Sequence, residues 1–267
     1  MSTTHKYWRV YEAALEALSG RDLAERCEAG GLHFDPEGIE IAFLDRRYRL
    51  CRGGSSLAIV NVSPSCPEER IPTEEARTLS PELQEEHLRD RILILHYLSA
   101  ASGVALSGAM VGFDQLSGAR FYGKPFRGRV EIPLVRAFAP RPAQLVQTAQ
   151  RLGGSPAAYG DCSVLLRPFP RVPMAFILWQ GDDEVPSNGK VLWDSTAEEY
   201  LCAEDLTVLG ETVVRRFLSV ARDGEGEPPG RQPAQRPEGA RRAAGARVHG
   251  GTSASPGAGR LPAPMRT

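Results

Sequence analysis

The chain has 267 residues, 42% hydrophobic and 24% charged, the make-up of a globular protein rather than a fibrous or wholly disordered one. Its net charge of −1 is unevenly spread: seven arginines and four acids fall in the last 45 residues, leaving residues 1–222 at −4. A mildly acidic body has no concentrated basic face for nucleic acid, and no apolar run nears the roughly 20 residues of a membrane span, so neither partner is expected.

The N-terminus has no continuous apolar stretch of the secretory kind. Five cysteines (Cys27, Cys51, Cys66, Cys162 and Cys202) lie at long, irregular spacings with no C-x-x-C pair. That is the usage of a reducing compartment, and a cytoplasmic location is expected.

Taken in chain order, Trp8, Tyr11, Leu15 and Leu18 recur at helical spacing, with Gly20 as a stop. A short second helix is predicted from Asp22 to about Glu28, closed by Gly30 and Gly31. The period then changes to two. Residues 38–44, 47–51 and 57–62 read as three strands of an antiparallel meander, with tight turns at Asp45–Arg46 and Gly53–Gly54. Ser63 to Thr78 is polar, Pro-punctuated loop.

Ser80-Pro81-Glu82 is a helix start, with a capping hydroxyl, a proline at the first position and an early acid. The helix is predicted to run to about Ser102, with Leu88, Ile92, Leu95 and Leu98 on one face. Residues 104–138, rich in glycine, are expected to be mostly irregular and anchored by aromatic residues. A helix follows from Pro142 to Leu152, then strands at 162–167, 174–179 and 190–194. Glu204 to Ala221 is an amphipathic helix with Leu206, Leu209, Val213, Phe217 and Val220 inward.

Beyond Asp223 lie nine glycines, seven prolines and no aromatic residue, too little apolar surface to offset the entropy of ordering. The expectation is one domain over 1–222 and a disordered tail over 223–267. The fold class is α+β: antiparallel β-meanders packed against several amphipathic helices.

The most distinctive segment runs from Pro173 to Ser195. Asp182, Asp183 and Glu184 are consecutive acids in a turn after a strand, and Asp194 ends the next strand, where a hairpin could return it to them. Clustered carboxylates suit a hard cation, or a raised-pKa acid beside an ionised one. The alternative reading is a solvated turn whose side chains cap local N–H groups. Phe113, Asp114, Phe121 and Trp179 are secondary candidates, the first three in a glycine-rich stretch that could approach a ligand closely.

Other signatures are lacking. His87 and His96 stand nine residues apart, and His96 reads as a half-buried ring with a partner. No G-x-S-x-G elbow, P-loop or G-x-G-x-x-G is present. Cys162 reads as structural. No cofactor is specified by these residues.

Residues 171–186, Val191-Leu-Trp-Asp-Ser195 and Tyr200–Gly210 together resemble the hallmark stretch of domain-of-unknown-function family 3786, with the likeness extending over residues 8–220. The resemblance implies a bacterial or archaeal protein, typically of anaerobes, with no assigned activity. Some relatives carry cysteine-rich iron–sulfur modules; this chain lacks their C-x-x-C spacing, so cluster binding does not transfer. The leading expectation is a non-catalytic ligand-binding or accessory module for a small molecule or protein. The alternatives are a divalent-metal-assisted enzyme using residues 182–184 with Asp194, and a structural interaction domain.

Overall fold

The computed structural model describes residues 3–35, 38–53, 56–62 and 81–225. The predicted loop at 63–78 and the predicted tail beyond Glu225 lie outside the described residues. The class is α+β, with helices packed on one three-stranded and one five-stranded antiparallel sheet.

α1 (Thr3–Ser19) buries Tyr11, Ala14 and Leu18, and α2 (Leu23–Gly30) follows a short turn. The Asp22 carboxylate accepts from the amides of Ala24 and Glu25 and so caps α2. Gly31 ends the helix at φ 67, a left-handed angle that only glycine takes without steric cost. The meander is β1 (Ile39–Phe43), β2 (Arg46–Gly53) and β3 (Ser56–Asn61), neighbours in that order. In β1, Ile39, Ile41 and Phe43 point inward and Glu40 and Ala42 outward. Phe43 pairs with Arg46, so the tight turn is Leu44–Asp45, one residue earlier than the sequence suggests.

α3 (Pro81–Ala100) departs from the single inward face its spacing predicts. Leu93, Ile94 and Tyr97 are buried as well as Leu88, Ile92, Leu95 and Leu98. The helix is buried on several sides, charged positions included, and α1, α2 and α7 pack around it.

The larger correction concerns residues 104–138. Instead of mostly irregular chain they form β4 (Met110–Gly112), a 3-10 turn (Phe113–Gln115), α4 (Ala119–Phe126), a π-helical turn (Arg127–Glu131) and α5 (Ile132–Phe138). Gly123, Pro125, Gly128 and Pro133 lower the intrinsic helix propensity and hide the pattern. The cap of α4 is also remote in sequence: Glu198 accepts from the amides of Ser117 at 2.6 Å and Gly118 at 2.9 Å.

After α6 (Pro142–Arg151), the second sheet adds β5 (Ser155–Pro156), β6 (Cys162–Phe169), β7 (Val172–Trp179) and β8 (Asn188–Asp194) to β4, in the order β4-β8-β7-β6-β5. Seven of the eight β7 residues are buried, so both faces of the central strand are covered. α7 (Ala203–Glu225) continues three residues past the boundary predicted at 222. Phe43, Phe169, Tyr97 and Tyr200 form an aromatic column, ring centroids 4.3 to 5.8 Å apart, which joins the meander to α3 and the large sheet.

Candidate functional site

The three consecutive acids sit in the loop that joins β7 to β8. Asp182 Oδ1 accepts from the amides of Glu184 at 2.9 Å and Val185 at 2.8 Å, closing a tight Asx turn. These backbone bonds hold its carboxyl below the ordinary range. The side chain is therefore occupied with its own turn, which is the alternative reading of this segment.

Asp194 does not join them. The hairpin closes on the pair Trp179 and Asn188, and Asp194 lies at the other end of β8, six residues or about 20 Å along the strand. There it is buried and cradled by donors. Its Oδ1 accepts from the amide and hydroxyl of Ser107 at 3.1 and 2.9 Å and from those of Thr196 at 3.0 and 2.6 Å, while Oδ2 accepts from the Gly108 amide at 2.8 Å. Burial alone would push this carboxyl up. The bonds from Thr196 and Ser107 outweigh it and hold it down at about 2. Five donors make it a fastener for the 102–109 loop. Among the described residues, no group of three or more His, Cys, Asp or Glu is arranged to hold a metal ion.

The secondary candidates also separate. Phe113 is buried and stacks on Phe126 with centroids 4.1 Å apart. Asp114 is exposed and pairs with Lys190 at 3.0 Å, which lowers its pKa. Phe121 projects into solvent, 79% exposed, and Trp179 is at the surface beside Gly160, whose φ is 53. His96 has the partner expected of it: Nδ1 lies 2.8 Å from Asp205 Oδ1.

What the sequence did not reveal is a cleft of about 420 Å³ between the α5–α6 connection and the last turns of α7. Phe138, Pro140, Leu218 and Ala221 form its apolar part, and Arg136, Arg141, Arg222 and Gln144 its polar part. No carboxylate is among the described residues that line it. Among the described residues Arg136 makes no ion pair, and Arg222 donates Nε–H to the Leu218 carbonyl. The volume falls in the range of small-molecule sites. The residues come from three helices, and only the pair Arg136 and Arg141 around Pro140 gives any local hint of convergence. A second hollow, of about 550 Å³, lies between the α1–α2 turn and β1, and its Asp22 is spent on capping α2.

A buried charge cluster lies elsewhere, at the seam of α3, α7 and the β1–β2 turn. Asp90, wholly buried, accepts on Oδ2 from the Tyr48 hydroxyl at 2.7 Å, Arg46 at 3.0 Å and Arg216 at 3.2 Å. Arg216 also pairs with Asp45 and Glu86. Burial raises the Asp90 pKa against the pull of the two arginines. Asp45 and Glu86 reach solvent at its rim while Asp90 is enclosed, and the geometry is that of a clamp.

These observations define an α+β domain whose acidic residues fasten loops and whose arginines surround an apolar cleft. The profile of the family described as Domain of unknown function (DUF3786) matches residues 68–216, more than half of the chain, and the chain belongs to that family. The match covers α3, the large sheet and the α5–α6 wall of the cleft; α1, α2 and the meander precede it. No curated protein and no solved structure matches the chain.

Proposed function

We propose that this chain is a non-catalytic binding module, a single folded unit over residues 1–222 in the cytoplasm, whose α5–α7 cleft holds a small organic anion with an apolar body. The observation that carries the reading is the cleft itself: Arg136, Arg141 and Arg222 around Phe138, Pro140 and Leu218, with no carboxylate among the described residues that line it. A guanidinium offers a planar fork that matches carboxylate or phosphate oxygens, and it is weakly hydrated, so it gives up water at modest cost. The apolar side chains supply the remaining contact area. On this reading Asp182 and Asp194 are fasteners rather than ligands, which accords with the donors around each. The cysteine usage supports the reducing location, and no helix among the described residues is long and apolar enough to cross a membrane.

Calorimetric titration with 1-naphthyl phosphate, which combines an anion with an aromatic body, tests the proposal. One-site binding is expected, weakened at least about tenfold in Arg136→Ala/Arg222→Ala through the loss of charge-assisted bonds. Inorganic phosphate should bind more weakly than the aryl ester because it leaves the apolar part unused. Equal heats for wild type and the double variant would refute the reading.

A further inference from the structure

The π-helical turn and the helix before it carry a surface that neither the fold nor the cleft uses. Between Arg120 and Arg129 there are four cations, Arg120, Lys124, Arg127 and Arg129, and no acid, within a body whose net charge is −4. Arg120, Lys124 and Arg127 follow the i, i+4, i+7 spacing that brings side chains to one helical face, and all three are exposed. None makes an ion pair among the described residues, whereas Arg129 lies 4.0 Å from Glu211. Phe121, 79% exposed, borders the same face.

A second observation is independent of charge. Gly123 and Gly128 flank the stripe in helical conformation, and a Cβ placed on either meets nothing within 4 Å. Neither packing nor a left-handed φ calls for glycine there, yet each costs about 1 kcal/mol of helix stability relative to alanine. A bare backbone beside exposed cations suits close approach by another chain. The π turn itself is a feature that concentrates at functional sites.

We propose that this face docks a short acidic segment of a partner protein, with carboxylates over Arg120, Lys124 and Arg127 and an apolar side chain against Phe121. The dimensions favour a short segment over a nucleic acid. Seven residues of helix span about 10 Å, room for two or three charges, while nucleic-acid binders commonly engage 6–10 phosphates. Acids also bound the stripe: Glu198 at the start of α4, Glu204 against Tyr122, and Glu131 at the end of the π turn. A long polyanion would run onto them.

Fluorescence anisotropy of the full chain with a labelled peptide of glutamates interrupted by leucines tests this, with oligothymidylate and phosphatidylserine vesicles as the other arms. The peptide should bind in low salt, and Arg120→Glu/Lys124→Glu/Arg127→Glu should lose at least about tenfold in affinity with its melting temperature kept. Phe121→Ala should weaken the leucine-containing peptide more than an all-glutamate one. Gly128→Ala should raise the melting temperature while weakening the peptide. No binding of the peptide in low salt, binding indifferent to the charge reversal, or oligothymidylate or vesicles bound more tightly than the peptide would each overturn the proposal.

Discussion

Asn in place of Asp194 keeps the side chain's shape, removes its charge, and turns two amide hydrogens toward a site built of donors. In the wild type the carboxyl is held at about 2, below the ordinary 3.8, which corresponds to about 2–3 kcal/mol of stability at neutral pH. A depressed carboxylate contributes fully above its unfolded pKa and loses that contribution as pH falls through the folded value. Urea unfolding should therefore place Asp194→Asn about 2–3 kcal/mol below wild type at pH 7, with the gap falling to about half by pH 3. Mn²⁺ should raise the melting temperature of neither protein. A gap below ~0.5 kcal/mol at pH 7, a gap that stays constant on acidification, or a Mn²⁺ stabilisation seen in wild type and lost in the variant would refute the fastener role.

Three further outcomes follow from the same geometry. The hydrogen bond to Asp205 raises the His96 pKa, so its contribution is complete below about pH 6.5 and is lost as pH rises through the folded value. Thermal melts should show His96→Gln about 0.5–1 kcal/mol less stable at pH 5.5 and nearly level with wild type at pH 9. Glu198→Ala removes the remote cap of α4 and should cost about 1–2 kcal/mol, with faster amide hydrogen exchange at residues 117–121 as the local readout. Arg216→Met strips Asp90 of one cation and should cost about 3–5 kcal/mol, whereas Asp90→Asn/Arg216→Met should cost less than the two single changes added together. Additive losses would mean that the two groups do not interact.

Elements with an unbroken period were legible from sequence. The β1 alternation, the capping signals around α2, and the apolar stripe of α7 each encode structure within a few neighbouring residues. What escaped was set by distant partners. Helix α4 carries two glycines and a proline across its length and the turn that follows, and takes its cap from Glu198, some 80 positions away, so no local window could reveal it. The interior position of α3 was masked because Asp90 and Arg91 are charged, and only Tyr48, Arg46 and Arg216 make Asp90 tolerable in the core. For the site, the acids were conspicuous because they are consecutive, but strand geometry carries Asp194 away from them. The arginines of the cleft were inconspicuous because α5, the turn before α6, and α7 each supply one of the three.

Hydrogen–deuterium exchange with and without 1-naphthyl phosphate is the most direct test of where ligand is held. The proposed site predicts new protection confined to residues 136–144 and 218–222, and absent from Arg136→Ala/Arg222→Ala. Protection centred on residues 180–186 or 107–109, or none at saturating ligand, would contradict it.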